Sequence, residues 1–173
     1  YWPLRDLSIE DRRAIVHGLA RQAGMNDAEI GSAAAMNWDQ VREAAHSRLV
    51  TIGAHTVHHL PVRDLSETDA RFELTESKRR LEAETGVEVR HFAYPFGNPE
   101  SAGPREFLLA KACGFRTATT MRRGPVFGEH GAHLHALPRV SLNGNFQSLR
   151  YVDLFLSGAP FALWNKGQRL NVA

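Results

Sequence analysis

Between residues 49 and 156 the chain alternates short apolar runs of β-forming residues with longer amphipathic stretches, and nothing else in it restricts the fold as much. The strand-like runs cover residues 49–52, 87–94, 115–120 and 137–142. Between the first two, Ser66 and Asp69 open a helix that Gly86 ends, with Phe72, Leu74 and Leu81 as its apolar face. A second helical pattern covers residues 103–113 ahead of Gly114, and a third covers residues 146–156. Strands separated by helices predict parallel βαβ units, whose right-handed crossovers bring the carboxyl ends of the strands to one rim. The loops after residues 52 and 94 end successive strands, so they are expected to meet on that rim, where sites in parallel sheets gather.

Residues 1–48 carry no such alternation. Ser8 and Gly24 bracket an amphipathic helix over residues 7–23, a short helix is expected over 27–35, and Asn37 or Trp38 opens another through Ala45. These read as supporting or lid-like helices with no chemistry of their own. At 173 residues, 43% hydrophobic and 23% charged, the chain is read as one domain: a helical lead-in over 1–48, βα units over 49–156 and a tail over 157–173.

The formal net charge is +2, and the basic clusters Arg12-Arg13, Lys78-Arg79-Arg80 and Arg122-Arg123 read as solvated faces, so no nucleic-acid partner is expected. No stretch reaches the ~18 apolar residues of a membrane span. The single cysteine, Cys113, lies in an apolar helical segment and reads as a packing residue rather than a nucleophile.

The first strand runs into Ile52-Gly53-Ala54-His55-Thr56-Val57-His58-His59. If a helical turn follows, His55 and His59 share a face and can both reach one divalent cation, although His58, three residues from His55, competes. A chance histidine pair at spacing four occurs in roughly every second chain of this histidine content, so the setting at a strand's carboxyl end is what strengthens the reading. The second rim loop, Tyr94-Pro95-Phe96-Gly97-Asn98-Pro99, is dense in turn-forming residues, and its plainest reading is a chain reversal that packs two rings.

Together these residues resemble the polysaccharide deacetylases, carbohydrate esterase family 4 with the NodB-homology domain. His55-Thr56-Val57-His58-His59 looks like the family's H-[ST]-x-x-H metal motif, and Phe92-Ala93-Tyr94-Pro95-Phe96-Gly97 like its R-x-P-Y groove motif. The likeness extends to Trp38-Asp39-Gln40-Val41 and Gly114-Phe115-Arg116-Thr117-Ala118, over roughly residues 36–142. It implies an irregular (β/α) barrel, incomplete in this chain. It further implies a divalent metal, zinc, on His55 and His59, a bracing hydroxyl on Thr56, and a carbohydrate substrate carrying N-acetylated aminosugars that rests on Tyr94, Pro95 and Phe96. The implied reaction removes the acetyl group by hydrolysis, with the Phe96 N–H donating to the oxyanion; Pro95 has no N–H to offer. Trp2, Trp38 and Trp164 are candidates to stack on sugar rings or to pack.

Three features depart from the family pattern. Its aspartate pair, one a metal ligand and one the base, is absent from residues 1–54 and is expected upstream of Tyr1. Ala93 stands where most members carry an arginine that orients the base, and Arg139 is the expected substitute. The family's terminal Leu-x-His, which supplies a general acid, is approximated only by His133-Leu134-His135 and more distantly by His130. Two rival readings keep the fold: a non-catalytic sugar-binding relic, and a hydrolase of another linear amide such as a formamide.

Overall fold

A computed structural model describes residue 4 and residues 7–26, 31, 32 and 34–172. The chain forms two compact units, residues 1–44 and 45–173. In the first, Ser8 caps α1 (Ile9–Gln22) by accepting the Asp11 N–H at 3.0 Å, and Gly24 follows its end at a φ of 65°. The helix expected over residues 27–35 lies largely outside the described residues, as does Trp2; Gly31, Ser32 and Ala34 are helical. A reciprocal cap between Asn37 and Gln40, 2.9 Å in both directions, starts α2 (Trp38–His46), which continues past the division between the units.

In the second unit α3 (Glu67–Thr85) begins where Ser66 accepts the Asp69 N–H and stops at Gly86, whose φ of 70° is the left-handed conformation a helix end takes up. Its buried stripe differs in part from the expected one. Leu74 is buried with Ala70, Glu73 and Ser77, whereas Phe72 is 50% exposed.

Three strands follow, β1 (His91–Ala93), β2 (Thr117–Arg123) and β3 (Leu137–Arg139), in a parallel sheet of order β1-β2-β3. The crossover from β1 to β2 is α4 (Pro104–Ala112), which Glu106 caps through the Gly103 N–H. Between β2 and β3 the chain makes a short 3-10 turn, Gly128–Ala132, instead of a full helix. Beyond β3 come α5 (Leu149–Leu156) and α6 (Ala159–Trp164), so the expected tail holds a helix.

Two strands are shorter than expected, and the reasons are local. β1 begins late because the Val89 N–H is taken by the Glu82 carboxylate at 2.9 Å and never joins the ladder. In β3, Pro138 has no N–H to give, and the chain leaves the sheet after Arg139 with Leu142 exposed. The expected first strand over residues 49–52 does not form either. Leu49 is 94% exposed, and pairing is confined to Ala54, which bridges Phe92 in parallel through the His91 and Ala93 backbone. Among the described residues only β1 pairs with this segment, so no second ladder extends it.

The core of this unit joins Val62, Ala70 and Leu74 to Val89, Phe92, Tyr94, Leu109 and Phe115 across one face of the sheet. Each large side chain buried there contributes roughly 1.5–3 kcal/mol. Cys113 packs at its margin, where burial pushes the thiol pKa up, as suits a packing residue. No helix of the described residues is long and apolar enough to cross a membrane.

Candidate functional site

His55 follows directly on the Ala54 bridge, so pairing with β1 fixes where its side chain emerges. Its Nδ1 lies 2.7 Å from the Ala93 carbonyl oxygen. A carbonyl can only accept, so Nδ1 carries the proton and Nε2 is the ring atom left with a lone pair. The His59 ring stands edge-on to it, with centroids 4.8 Å apart, and also meets the Phe96 ring at 5.2 Å.

The segment between the two histidines is a tight turn rather than the helical coil considered above. Thr56 has a φ of 65° and His59 one of 56°, and the Thr56 hydroxyl accepts the His59 N–H at 3.0 Å. Left-handed backbone costs a β-branched residue energy that its surroundings must repay.

The residue that holds this turn is Glu73, on the buried stripe of α3. One carboxylate oxygen accepts the N–H groups of Val57 and His58 at 2.8 and 2.9 Å, and the other bonds the His58 Nδ1. His58 is thereby engaged away from the His55–His59 pair. Sequence reasoning missed Glu73, although a carboxylate among Ala70, Leu74 and Ser77 on one helix face was the available signal.

The second rim loop is equally constrained. Phe96 and Gly97 both have positive φ, 60° and 59°, and the Gly97 carbonyl accepts the Met121 N–H of β2 at 2.8 Å. A Cβ on Gly97 would sit 2.7 Å from that nitrogen, so only glycine lets loop and strand approach this closely. Among the described residues, three of the four non-glycine residues with positive φ, namely Thr56, His59 and Phe96, therefore line one site.

Other expected residues lie elsewhere. The Tyr94 side chain is core: its hydroxyl donates to the carbonyls of Glu106 and His135, its ring packs on Phe92, and burial pushes the phenol pKa well up. It offers no surface to a substrate. Pro95 is likewise buried.

His133 and His135 precede β3, and His135 Nε2 donates to the Phe115 carbonyl ahead of β2. Both stand at the amino ends of the parallel strands, on the rim opposite His55 and His59, and cannot serve as the general acid there. His130 is buried, with Nδ1 accepting the Phe127 N–H.

Arg139 closes β3 at the carboxyl rim, exposed, and its charge is among those that hold the His55 pKa down. Of the Arg122-Arg123 pair, strand alternation buries Arg122, whose guanidinium lies over Phe107 and donates to the Ala102 carbonyl; only Arg123 is a surface residue. Trp38 and Trp164 are both exposed.

The His55 pKa is lowered first by desolvation and then by the charges of His59 and Arg139, against the opposing pull of the Ala93 carbonyl. A neutral imidazole is the form that binds metal. The ring nitrogens of His59 have no hydrogen-bond partner among the described residues, and its neighbour offers Nε2, so the donor chemistry fits two positions of a divalent-metal site. No group of three His, Cys, Asp or Glu that could enclose an ion occurs among the described residues.

A polysaccharide deacetylase profile matches residues 28–118, more than half of the chain, and the chain belongs to the polysaccharide deacetylase family. Solved structures repeat its fold. The Streptococcus pyogenes deacetylase PplD, determined in complex with acetate, superposes with a TM-score of 0.63 at 23% identity, covering 73% of this chain and 53% of PplD. BC0361, a polysaccharide deacetylase from Bacillus cereus, gives 0.53 at 25% identity over 61% of this chain and 32% of its own. BA0330 from Bacillus anthracis gives 0.59 at 24% identity over 72% and 36%. The chain thus spans about half the length of the first of these and about a third of the others. The sheet is accordingly part of a (β/α) barrel, incomplete in this chain. A comparison with curated proteins returns no match.

Proposed function

We propose that the protein of which this chain is part removes N-acetyl groups from aminosugars of a polysaccharide or oligosaccharide, using a divalent metal, zinc. The observation that carries the reading is the His55–His59 pair at 4.8 Å, with His55 oriented by the Ala93 carbonyl and His59 set against Phe96. His55 and His59 would hold the ion. When bound, such an ion polarises an amide carbonyl and makes water nucleophilic at neutral pH.

The residues of the chain have separable tasks. The Ala93 carbonyl keeps His55 in one tautomer, and the Thr56 hydroxyl ties the His59 backbone in place. In the second loop, Pro95 and the close Gly97–Met121 approach make a rigid mount, from which the Phe96 N–H would donate to the carbonyl oxygen as charge develops on it. Arg139, facing the same rim, would orient the general-base carboxylate in place of the arginine that Ala93 cannot provide. The family match and the acetate held by PplD are in keeping with an acetyl substrate.

The test uses the full-length protein with zinc, assayed for acetate release from N-acetylglucosamine oligomers and for formate release from the N-formyl analogues. Acetate release that a chelator or His59→Ala abolishes is the expected result, and Arg139→Met should lower turnover far more than metal affinity. Turnover of the formyl compounds alone would shift the reading to a formamide hydrolase. Binding of the oligomers with no turnover would make the domain a non-catalytic sugar binder.

A further inference from the structure

Arg123 and Arg139 are Cα partners across the parallel β2–β3 ladder, so two guanidinium groups leave neighbouring strands at the same rim. Like charges at adjacent ladder positions repel. Among the described residues neither is paired with an Asp or Glu, and the arginines that are, Arg42, Arg71, Arg79, Arg80, Arg90, Arg105 and Arg169, all lie outside the pocket described next. The two line a pocket of 480 Å³ whose other walls include Met121, Phe146, Phe155 and Trp164, and whose lining contains no carboxylate.

Arg123 is positioned rather than loose. Its guanidinium lies 4.2 Å from the centroid of the Trp164 ring, and the Asn165 side-chain amide donates to its carbonyl at 2.9 Å, tying the end of α6 to the end of β2. Stacking on an indole fixes the plane of a guanidinium and leaves its N–H edges able to take a planar oxyanion in fork geometry. Trp164 is 66% exposed, an aromatic surface open beside that cation. The pocket adjoins the metal-type site, since Met121 in its wall is hydrogen-bonded to Gly97, the neighbour of Phe96.

We infer that this pocket binds an anionic substituent, a carboxylate or a phosphate, on a sugar flanking the one that reacts, with Arg123 as its principal contact and Trp164 as the platform for the ring. The inference rests on the deacetylase reading for the identity of the neighbouring sugar, but not for the anion site itself. The rim would then select acidic saccharides over neutral ones, because the Arg123 guanidinium at one edge of an apolar pocket attracts charge that neutral sugars lack.

The experiment measures binding, so it does not depend on turnover. Glucuronate, glucose 6-phosphate and glucose are titrated into the full-length protein by calorimetry or by NMR of the Trp164 indole signal. The expected result is that at least one of the two anionic sugars binds at least about tenfold more tightly than glucose, that Arg123→Met removes this preference, and that Arg123→Lys restores part of it. Which anion binds distinguishes carboxylate from phosphate. Thermal melting confirms that both variants are folded. Equal binding of all three sugars, or an anion preference that Arg123→Met leaves intact, overturns the inference even if the protein deacetylates. An Arg123-dependent preference in a protein that releases no acetate upholds the anion site and defeats the deacetylase reading.

Discussion

Glu73 holds His58 from two sides: one carboxylate oxygen accepts the His58 backbone N–H at 2.9 Å, and the other bonds its ring Nδ1. The same carboxylate takes the Val57 N–H, so one buried side chain on α3 satisfies two backbone donors of the turn that carries His55 and His59. A turn with left-handed Thr56 and His59 keeps its shape only while something over-determines it, and Glu73 is that restraint.

Replacing Glu73 by Gln should therefore cost about 1–3 kcal/mol in denaturant unfolding, because a buried amide cannot accept all three bonds and also brings N–H donors with no partner. Zinc affinity should fall by about 10–100-fold, since the restraint orients the histidine pair from outside. Unchanged unfolding and zinc titration curves would remove Glu73 from the account.

On the proposed reading, His55 and His59 should behave unlike His58. With two donors from this chain, residues 1–173 alone should bind zinc weakly, and His55→Ala or His59→Ala should abolish what binding there is. His58→Ala should cost stability through Glu73 while leaving one or both of those ligands functional. Zinc titration followed by competition with a chromophoric chelator separates the variants; tight binding by His58 with His55 would refute the assignment.

Gly97→Ala should destabilise the protein by about 1–3 kcal/mol, through a left-handed φ of 59° and a Cβ 2.7 Å from the Met121 nitrogen. On the proposed oxyanion role of the Phe96 N–H, kcat of the full-length protein should fall more than KM rises, because that N–H moves while most substrate contacts remain. A variant as stable as the parent would mean that the close approach relaxes at no cost.

His55 makes stability depend on pH in a definite direction. Its folded-state pKa lies below the usual 6.5, so the unfolded chain takes up the proton first. The contribution of His55 is fully present above pH 6.5, diminishes as pH falls below that value, and levels off once the folded state also protonates. Unfolding of the parent and of His55→Gln should be compared at about pH 8 and about pH 5. The parent should lose more stability than the variant between the two, and the reverse order would contradict the partial desolvation that sets the shift.

Much of this was legible in the order of residues because its signals are local. Ser66 with Asp69 and Gly86 define both ends of α3 within a turn of chain, and Gly103 to Gly114 does the same for α4. The alternation of strands and helices implied a parallel sheet, and with it the meeting of the His55 and Phe96 loops on one rim. The family could be read from two motifs whose residues are each contiguous.

What the residues alone left undecided depends on contacts between distant segments. Tyr94 reads as a groove residue in its motif, yet the core claims its ring because Phe92 and the carbonyls of Glu106 and His135 surround it. His133 and His135 have the right composition for a site but lie ahead of β3, and in a parallel sheet that alone assigns them to the opposite rim. That the His59 ring meets His55 while His58 turns to Glu73 follows from a contact 15 residues away in the chain. Arg123 acquired meaning only when the ladder set it beside Arg139 and α6 brought Trp164 against it. Sequence determines short-range geometry through backbone sterics and capping; which side chains meet across the sheet is decided by register and packing, which depend on many distant residues at once.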